Sequence, residues 1–175
     1  GRISIDWLVP ENWETNVVPD GNTDVTIKGG FVHMPTIVTT QAVRDLNMSS
    51  PDLANKPILT LSNGTIQING IINHTGGNID GIQGTVEMNG TMAQVIPAGL
   101  FQGNGLNNLV VGNNTAAGVT LGGTLDIYRS VTFSLAGLKL TTGDFLTLKS
   151  TATETAWLRN MTGKSIEGSA TVERY

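Results

Sequence analysis

Apolar and polar residues alternate along most of the chain between residues 58 and 149. The segments that place an apolar side chain at every second position are residues 58–61, 65–68, 85–88, 109–111, 119–121, 125–127, 131–133, 138–140 and 146–148. Because successive side chains of a strand point to opposite faces, this period of two predicts short strands with one buried face. Glycine and asparagine separate many of the segments and predict tight turns, because both residues tolerate positive φ.

Two of these segments are close copies of each other. Thr65-Ile-Gln-Ile-Asn-Gly70 matches Thr85-Val-Glu-Met-Asn-Gly90 position by position. The remaining segments recur without a strict sequence repeat. The pattern predicts stacked coils of roughly 20 to 25 residues, each made of two or three short strands joined by tight turns.

The short strands and their aliphatic residues decide the expected fold class. Their apolar side chains are mostly Val, Ile and Leu, with few aromatics. This favours an all-β, right-handed parallel β-helix (a β-solenoid), in which inward side chains of successive coils form ladders. A β-sandwich is the alternative, with longer strands that hairpins often connect.

The first part of the chain lacks the alternation. Residues 1–23 hold Trp7, Trp13 and two prolines, and the prolines prevent regular strand pairing. The open end of a repeat exposes apolar side chains and unpaired strand edges, so it needs a cover. The sequence therefore predicts an N-terminal Trp-containing cap over residues 1–23 and a solenoid body over residues 24–175. Because both termini look abrupt, we expect a fragment of a longer chain.

Two more local predictions concern the residues between this cap and the repeat. Residues 43–48 place apolar side chains at alternate positions after Val43 and predict one strand. Residues 49–57 are polar, contain two prolines and predict a loop that protrudes from the body.

Composition and charge narrow the function. Only 14% of the 175 residues are charged, against roughly 25% in ordinary soluble domains, so Thr, Ser, Asn and Gly must supply the polar surface. The net charge of -4 argues against nucleic acid or an anionic membrane as partner. The chain has no cysteine, which excludes disulfides, zinc–thiolate sites and thiol catalysis. No apolar run approaches the ~20 residues of a membrane span.

Aromatic side chains are the first candidates for a binding site. Trp7, Trp13, Tyr128 and Trp157 could stack on sugar rings if the fold exposes them in a row. For Trp7 and Trp13 the pattern favours a different role, as a lid over the first turn of the core.

A short acidic stretch is the candidate metal site. Asp20, Asn22 and Asp24 place oxygen ligands at positions 1, 3 and 5, as calcium loops do. The helix–loop–helix calcium pattern also needs Gly and Glu where this chain has Val25 and Phe31. A turn that leads into a strand is therefore favoured, and Ca²⁺ is the one cofactor left open.

Catalysis is not expected, and we assign no catalytic residue. His33 and His74 lie far apart in the sequence, with no neighbour at ligand or triad spacing. Paired carboxylates could degrade polysaccharides, as β-helical enzymes do. The candidates for such a pair are single residues at outward or turn positions: Asp45, Asp80, Glu87, Asp126 and Asp144.

Four stretches, taken in order, resemble parts of large secreted surface proteins of Bacteroidetes that the type IX secretion system exports: an entry module, two pieces of their β-helical coils, and a stretch ahead of further domains and a sorting signal. They are residues 7–27, 85–97, 106–111 and 146–175, of which the last is the most specific. The resemblance implies an extracellular, cell-surface, adhesin-like or stalk segment. Its partners would be other domains of the same long chain, and surface polysaccharide or a host substratum. A non-catalytic structural module is the expected function; the alternatives are a carbohydrate-binding module and a polysaccharide-degrading enzyme.

Overall fold

The computed structural model describes residues 1–50, 54–135 and 137–175 and shows a β-solenoid of about six turns. Every ladder between its named strands is parallel. One short 3₁₀ helix, Pro10–Asn12, is the only helix in the described part of the chain. The predicted all-β parallel solenoid is thereby confirmed, and the two facing layers of a sandwich do not form.

Seventeen strands in the described residues build the coils. They are β1 (Val25–Lys28), β2 (Thr36–Ile37), β3 (Thr40–Val43), β4 (Leu46–Ser49), β5 (Ile58–Leu61), β6 (Thr65–Ile68), β7 (Ile72–His74), β8 (Asn78–Met88), β9 (Gln94–Ile96), β10 (Phe101–Val111), β11 (Val119–Leu121), β12 (Leu125–Phe133), β13 (Lys139–Thr141), β14 (Leu146–Leu148), β15 (Trp157–Arg159), β16 (Ser165–Glu167) and β17 (Ala170–Val172).

Each coil passes three sides in the same order. The first side holds the sheets β1-β4-β7 and β9-β11-β13-β16. The second side stacks β2, β5, the starts of β8, β10 and β12, then β14 and β17, and the third side stacks β3, β6, the ends of those long strands, and β15. Coils one to six begin at β1, β4, β7, β9, β11 and β13, and β16 opens the next coil.

The strand register explains the internal repeat. Thr65 pairs with Thr85 and Ile68 with Met88, so the two similar hexapeptides are neighbours on adjacent coils. The sequence offset between paired residues is larger at other places, as between Leu46 and Ile72 and between Ser130 and Trp157. Paired segments therefore stay aligned, while the corners between them absorb the differences in coil length.

Aliphatic ladders fill the interior. On the third side, Ile66, Val86, Leu109 and Val131 follow one another across four coils, and each is fully buried. Burial of one such side chain contributes on the order of 1.5–3 kcal/mol. A single coil cannot bury its own inner face, so this stabilisation exists only because the coils stack.

One predicted strand is wrong, and one predicted loop is described only in part. Residues 43–48 are not one strand, because the chain turns at Arg44 and Asp45 between β3 and β4. The Arg44 amide donates to Thr23 O (2.9 Å), and the Ile71 amide donates to Asp45 Oδ1 (2.9 Å), so this corner is bonded to the coils on both sides. Of the loop predicted at 49–57, residues 51–53 lie outside the described residues.

The N-terminal segment lies against the first coil. The Thr36 amide donates to Ile5 O (2.7 Å) and the Trp7 amide to Thr36 O (3.3 Å), which adds a short parallel contact to β2. Asn12 Oδ1 accepts hydrogen bonds from the backbone of Ile3 and Ser4, so a side chain supplies what strand pairing does not. That residues 1–23 act as a cap separate from the body stays a prediction.

Candidate functional site

The two N-terminal tryptophans face the protein. Trp7 is only 1% exposed and belongs to the hydrophobic core. Trp13 packs edge-on against it, with ring centroids 4.6 Å apart, and the Trp13 Nε1–H donates to Trp7 O (2.9 Å). As placed, Trp7 offers no open ring face on which a sugar could stack.

The other two aromatic candidates lie at the opposite end. Tyr128 is half-buried on β12, next to the close-packed Gly105 of coil four, where a Cβ atom would lie 3.3 Å from the Tyr128 ring. Trp157 opens β15 and is 47% exposed. The four aromatic candidates therefore do not form a single row, and Trp157 is the one tryptophan that solvent reaches freely.

An arginine accompanies Trp157. Arg159 lies two residues further along β15, and its guanidinium carbon is 3.9 Å from the centroid of the Trp157 ring. A guanidinium over an indole is held by attraction to the negative face of the ring. Arg159 is exposed, and within the described residues it forms no ion pair.

The loop at residues 150–156 precedes this pair and is well fastened. A bridge between Ser150 and Thr155 closes its base, and the Ala156 amide donates to Lys149 O (2.8 Å). At its tip, Glu154 forms an exposed ion pair with Arg129 of the preceding coil (3.3 Å). The loop thus has a defined position beside Trp157.

Charge is unevenly distributed along the chain. Residues 129–175 contain six Lys or Arg and four Asp or Glu, a balance of +2, whereas residues 1–128 contain four and ten, a balance of -6. A bond from Lys149 to the Glu173 carboxylate raises the pKa of Lys149 and lowers that of Glu173. Residues 129–175, here called the basic region, therefore carry a net positive charge in a protein whose overall charge is negative.

The calcium candidates already have protein partners. Asp20 Oδ1 accepts the Asn22 amide and the Thr23 hydroxyl, both at 2.9 Å, and these bonds lower the pKa of Asp20. Asp24 is engaged by the Arg44 guanidinium, whose hydrogen bonds lower the pKa of Asp24. The turn at Asp20 and the strand that follows it are as expected, and calcium binding by Asp20, Asn22 and Asp24 stays a prediction.

The histidines and carboxylates considered for catalysis are scattered. The His74 ring lies 2.9 Å from Gly77 O, and Glu87 accepts a bond from Gln67 (2.8 Å). Asp45 and Asp144 each accept a backbone amide of the next coil. Among the described residues, no three His, Asp or Glu side chains converge in a group that could hold a metal ion.

A cavity of about 370 Å³ lies between the N-terminal segment and β1. Ile5, Trp13 and Phe31 contribute apolar walls, and Asp24 and Lys28 contribute charge. The charge of Asp24 is largely neutralised by Arg44. The cavity is separated from the basic region by the length of the solenoid.

One buried polar cluster was not found by sequence reasoning. Gln94 is 1% exposed; its Oε1 accepts the Gly90 amide (2.8 Å) and the Asn113 amide group (2.9 Å), and its Nε2 donates to Ile68 O (2.8 Å). Gln94 starts a strand whose next inward residue is Ile96, so the only available signal was a polar residue in an apolar position. The cluster joins three coils at a corner and is structural.

Comparison of the chain with protein-family models, with curated proteins and with solved structures finds no match. No described helix has the length and apolar character needed to cross a membrane.

Proposed function

We propose that this chain is a non-catalytic structural segment of an extracellular bacterial surface protein, of the adhesin or stalk type. The observation that carries the proposal is the unbroken stack of parallel coils from β1 to β17, each hydrogen-bonded to its neighbours. At about 4.8 Å per coil, six coils make a body on the order of 30 Å long.

The distribution of side chains supports a spacer. The interior is a continuous aliphatic core, and the carboxylates of Asp45 and Asp144 each act singly as hydrogen-bond acceptors between coils. Such a core resists bending because protein interiors are packed as densely as organic crystals. A segment of this kind holds neighbouring domains at a fixed distance.

The proposed location rests on the resemblance of residues 7–27, 85–97, 106–111 and 146–175 to exported surface proteins. Antibodies against the segment should label intact cells of the source bacterium as strongly as permeabilised cells. Labelling that requires permeabilisation would contradict an extracellular role.

The absence of catalysis is tested separately. The purified segment should release no reducing ends or unsaturated products from plant, algal or microbial polysaccharides. Turnover that is lost in Asp126→Asn or Asp144→Asn, but kept in the matched corner variant Asp45→Asn, would replace the structural proposal with that of a polysaccharide-degrading enzyme.

A further inference from the structure

We infer that Trp157, Arg159 and the loop at 150–156, here called the Trp157 patch, bind an anionic polysaccharide whose acidic groups are carboxylates or sulfates. This ligand goes beyond the structural role proposed above. A segment that lacks it would still be a spacer.

The exposed indole is the first support. Of the three tryptophans, Trp7 is buried and Trp13 is half-buried, while Trp157 keeps 47% of its surface in solvent. Its register partner on the preceding coil is the small residue Ser130, which is buried, and the Arg159 guanidinium lies over one face of the ring. Indole faces of this kind stack on the apolar faces of sugar rings.

The guanidinium decides the charge of the ligand. Arg159 is held 3.9 Å above the Trp157 ring and has no carboxylate partner among the described residues. A planar guanidinium presents its donors as a fork that matches a carboxylate or sulfate with two parallel hydrogen bonds. A sugar that stacks beside Arg159 is therefore favoured when it carries an acidic group.

The neighbouring loop is the second independent support. The sequence offset from Ser130 to its partner Trp157 is larger than that from Thr65 to its partner Thr85, and the extra residues form the loop at 150–156. In repeat proteins, insertions collect on one face, which is often the binding face. The Thr151 hydroxyl is bonded to the backbone of Glu154 inside the loop, and the exposed Thr153 offers a hydroxyl that suits the hydroxyl groups of a sugar chain.

The charge of the chain favours a glycan over a nucleic acid as the ligand of the Trp157 patch. Residues 129–175 carry +2 and attract acidic ligands, but the whole chain carries -4. A nucleic acid needs several cations that neutralise successive phosphates, and the pairing of Arg129 with Glu154 and of Lys149 with Glu173 leaves few free. One ring and one open guanidinium fit a sugar chain with sparser charge.

The test uses the full chain in affinity electrophoresis and calorimetry. The polymers are polygalacturonate for carboxylates, a sulfated galactan for sulfates, dextran as the neutral control and a single-stranded oligonucleotide. We expect binding to polygalacturonate, the sulfated galactan or both, weakened by added salt, with none to dextran. The preference between the two acidic polymers identifies the acidic group.

Paired variants locate the binding. Trp157→Ala and Arg159→Gln should each weaken binding by about tenfold, with Arg159→Lys in between, because it keeps the charge but loses the fork. Phe31→Ala and Arg2→Gln remove an exposed ring and an exposed cation at the opposite end and should change nothing. Full binding by Trp157→Ala or Arg159→Gln, equal binding to dextran or the oligonucleotide, or no binding to either acidic polymer would overturn the inference.

Discussion

The middle of the solenoid and the N-terminal segment bury apolar surface in different ways. In the middle, Ile66, Val86 and Leu109 form one ladder of medium-sized aliphatic side chains, and the backbone of each coil bonds to the coils on both sides. In the segment, burial depends on the large ring of Trp7 packed by Trp13, and the Asn12 side chain bonds to the backbone.

The difference shows what repetition supplies. A residue in the ladder finds its neighbours through register, so similar medium-sized side chains suffice, and the strand pairing satisfies the backbone groups. The segment has no repeating neighbour on its outer side, so it needs larger side chains and individual side-chain bonds. We therefore expect damage in the middle to spread and damage in the segment to stay local.

The largest expected effect is in the ladder. Leu109→Ala should lower the free energy of unfolding by about 3 kcal/mol, because the coils above and below hold the cavity open. The matched variant Val110→Ala, whose side chain points outward on the same strand, should change it by less than about 0.5 kcal/mol. Urea unfolding measures both. Equal effects would mean that the two faces of β10 are assigned wrongly.

Trp7→Ala should have a smaller and more local effect. The loss should be about 2 kcal/mol, below the usual value for a buried tryptophan, because the segment can detach without opening the core. Hydrogen–deuterium exchange should speed up at the amides of Trp7 and Thr36 and stay unchanged in coils three to five. The exposed ring of Phe31 provides the control, Phe31→Ala. Faster exchange throughout the solenoid would show that the two regions unfold together.

The smallest expected effect concerns Asp144, a carboxylate that bonds to the next coil, compared with Asp20, whose bonds stay within its own turn. Hydrogen bonds from the Ser169 hydroxyl and amide hold the pKa of Asp144 below its ordinary value of 3.8. The ionised form is thus favoured by folding, and its contribution is present above that value and lost as pH falls through the lowered pKa.

Asp144→Asn should therefore flatten the loss of stability in acid and speed amide exchange in β16 and β17 on the next coil. Asp20→Asn is the matched change, since the bonds that lower the pKa of Asp20 come from Asn22 and Thr23 of the same turn. It should affect exchange only around that turn. Urea unfolding from about pH 7 to about pH 3 gives the comparison. If the stability of Asp144→Asn falls in acid as steeply as that of the unchanged protein, the Asp144 carboxylate does not contribute to the acid dependence.

The ladder could be predicted because its signal is local and redundant. Thr65–Ile68 and residues 85–88 repeat the same alternation with the same turn residues, and the structure pairs them in that register. The parallel solenoid follows from that alternation. The predicted strand lengths are wrong in three places, because β8, β10 and β12 run along two sides of their coils without interruption, and the predicted segments 125–127 and 131–133 are one strand. Each coil restates the pattern, so one irregular coil does not obscure it.

The corners and the surface could not be predicted in this way. Alternation continues through residues 43–48, although the backbone turns at Arg44, because the turn depends on bonds to neighbouring coils that are distant in the sequence. The same holds for Gln94, whose partners come from three coils. Trp7 is buried and Trp157 is exposed because of which other parts of the fold cover each ring. The local sequence around a tryptophan does not determine this.

The loop at 150–156 has a practical consequence. Its base is closed by Ser150 and Thr155, and the strands before and after it keep the register of their neighbours despite the added length. A foreign peptide inserted at its tip would project from a rigid scaffold at a defined position and orientation. The loop is therefore a suitable insertion site for the display of an epitope, because the coils around it keep their pairing.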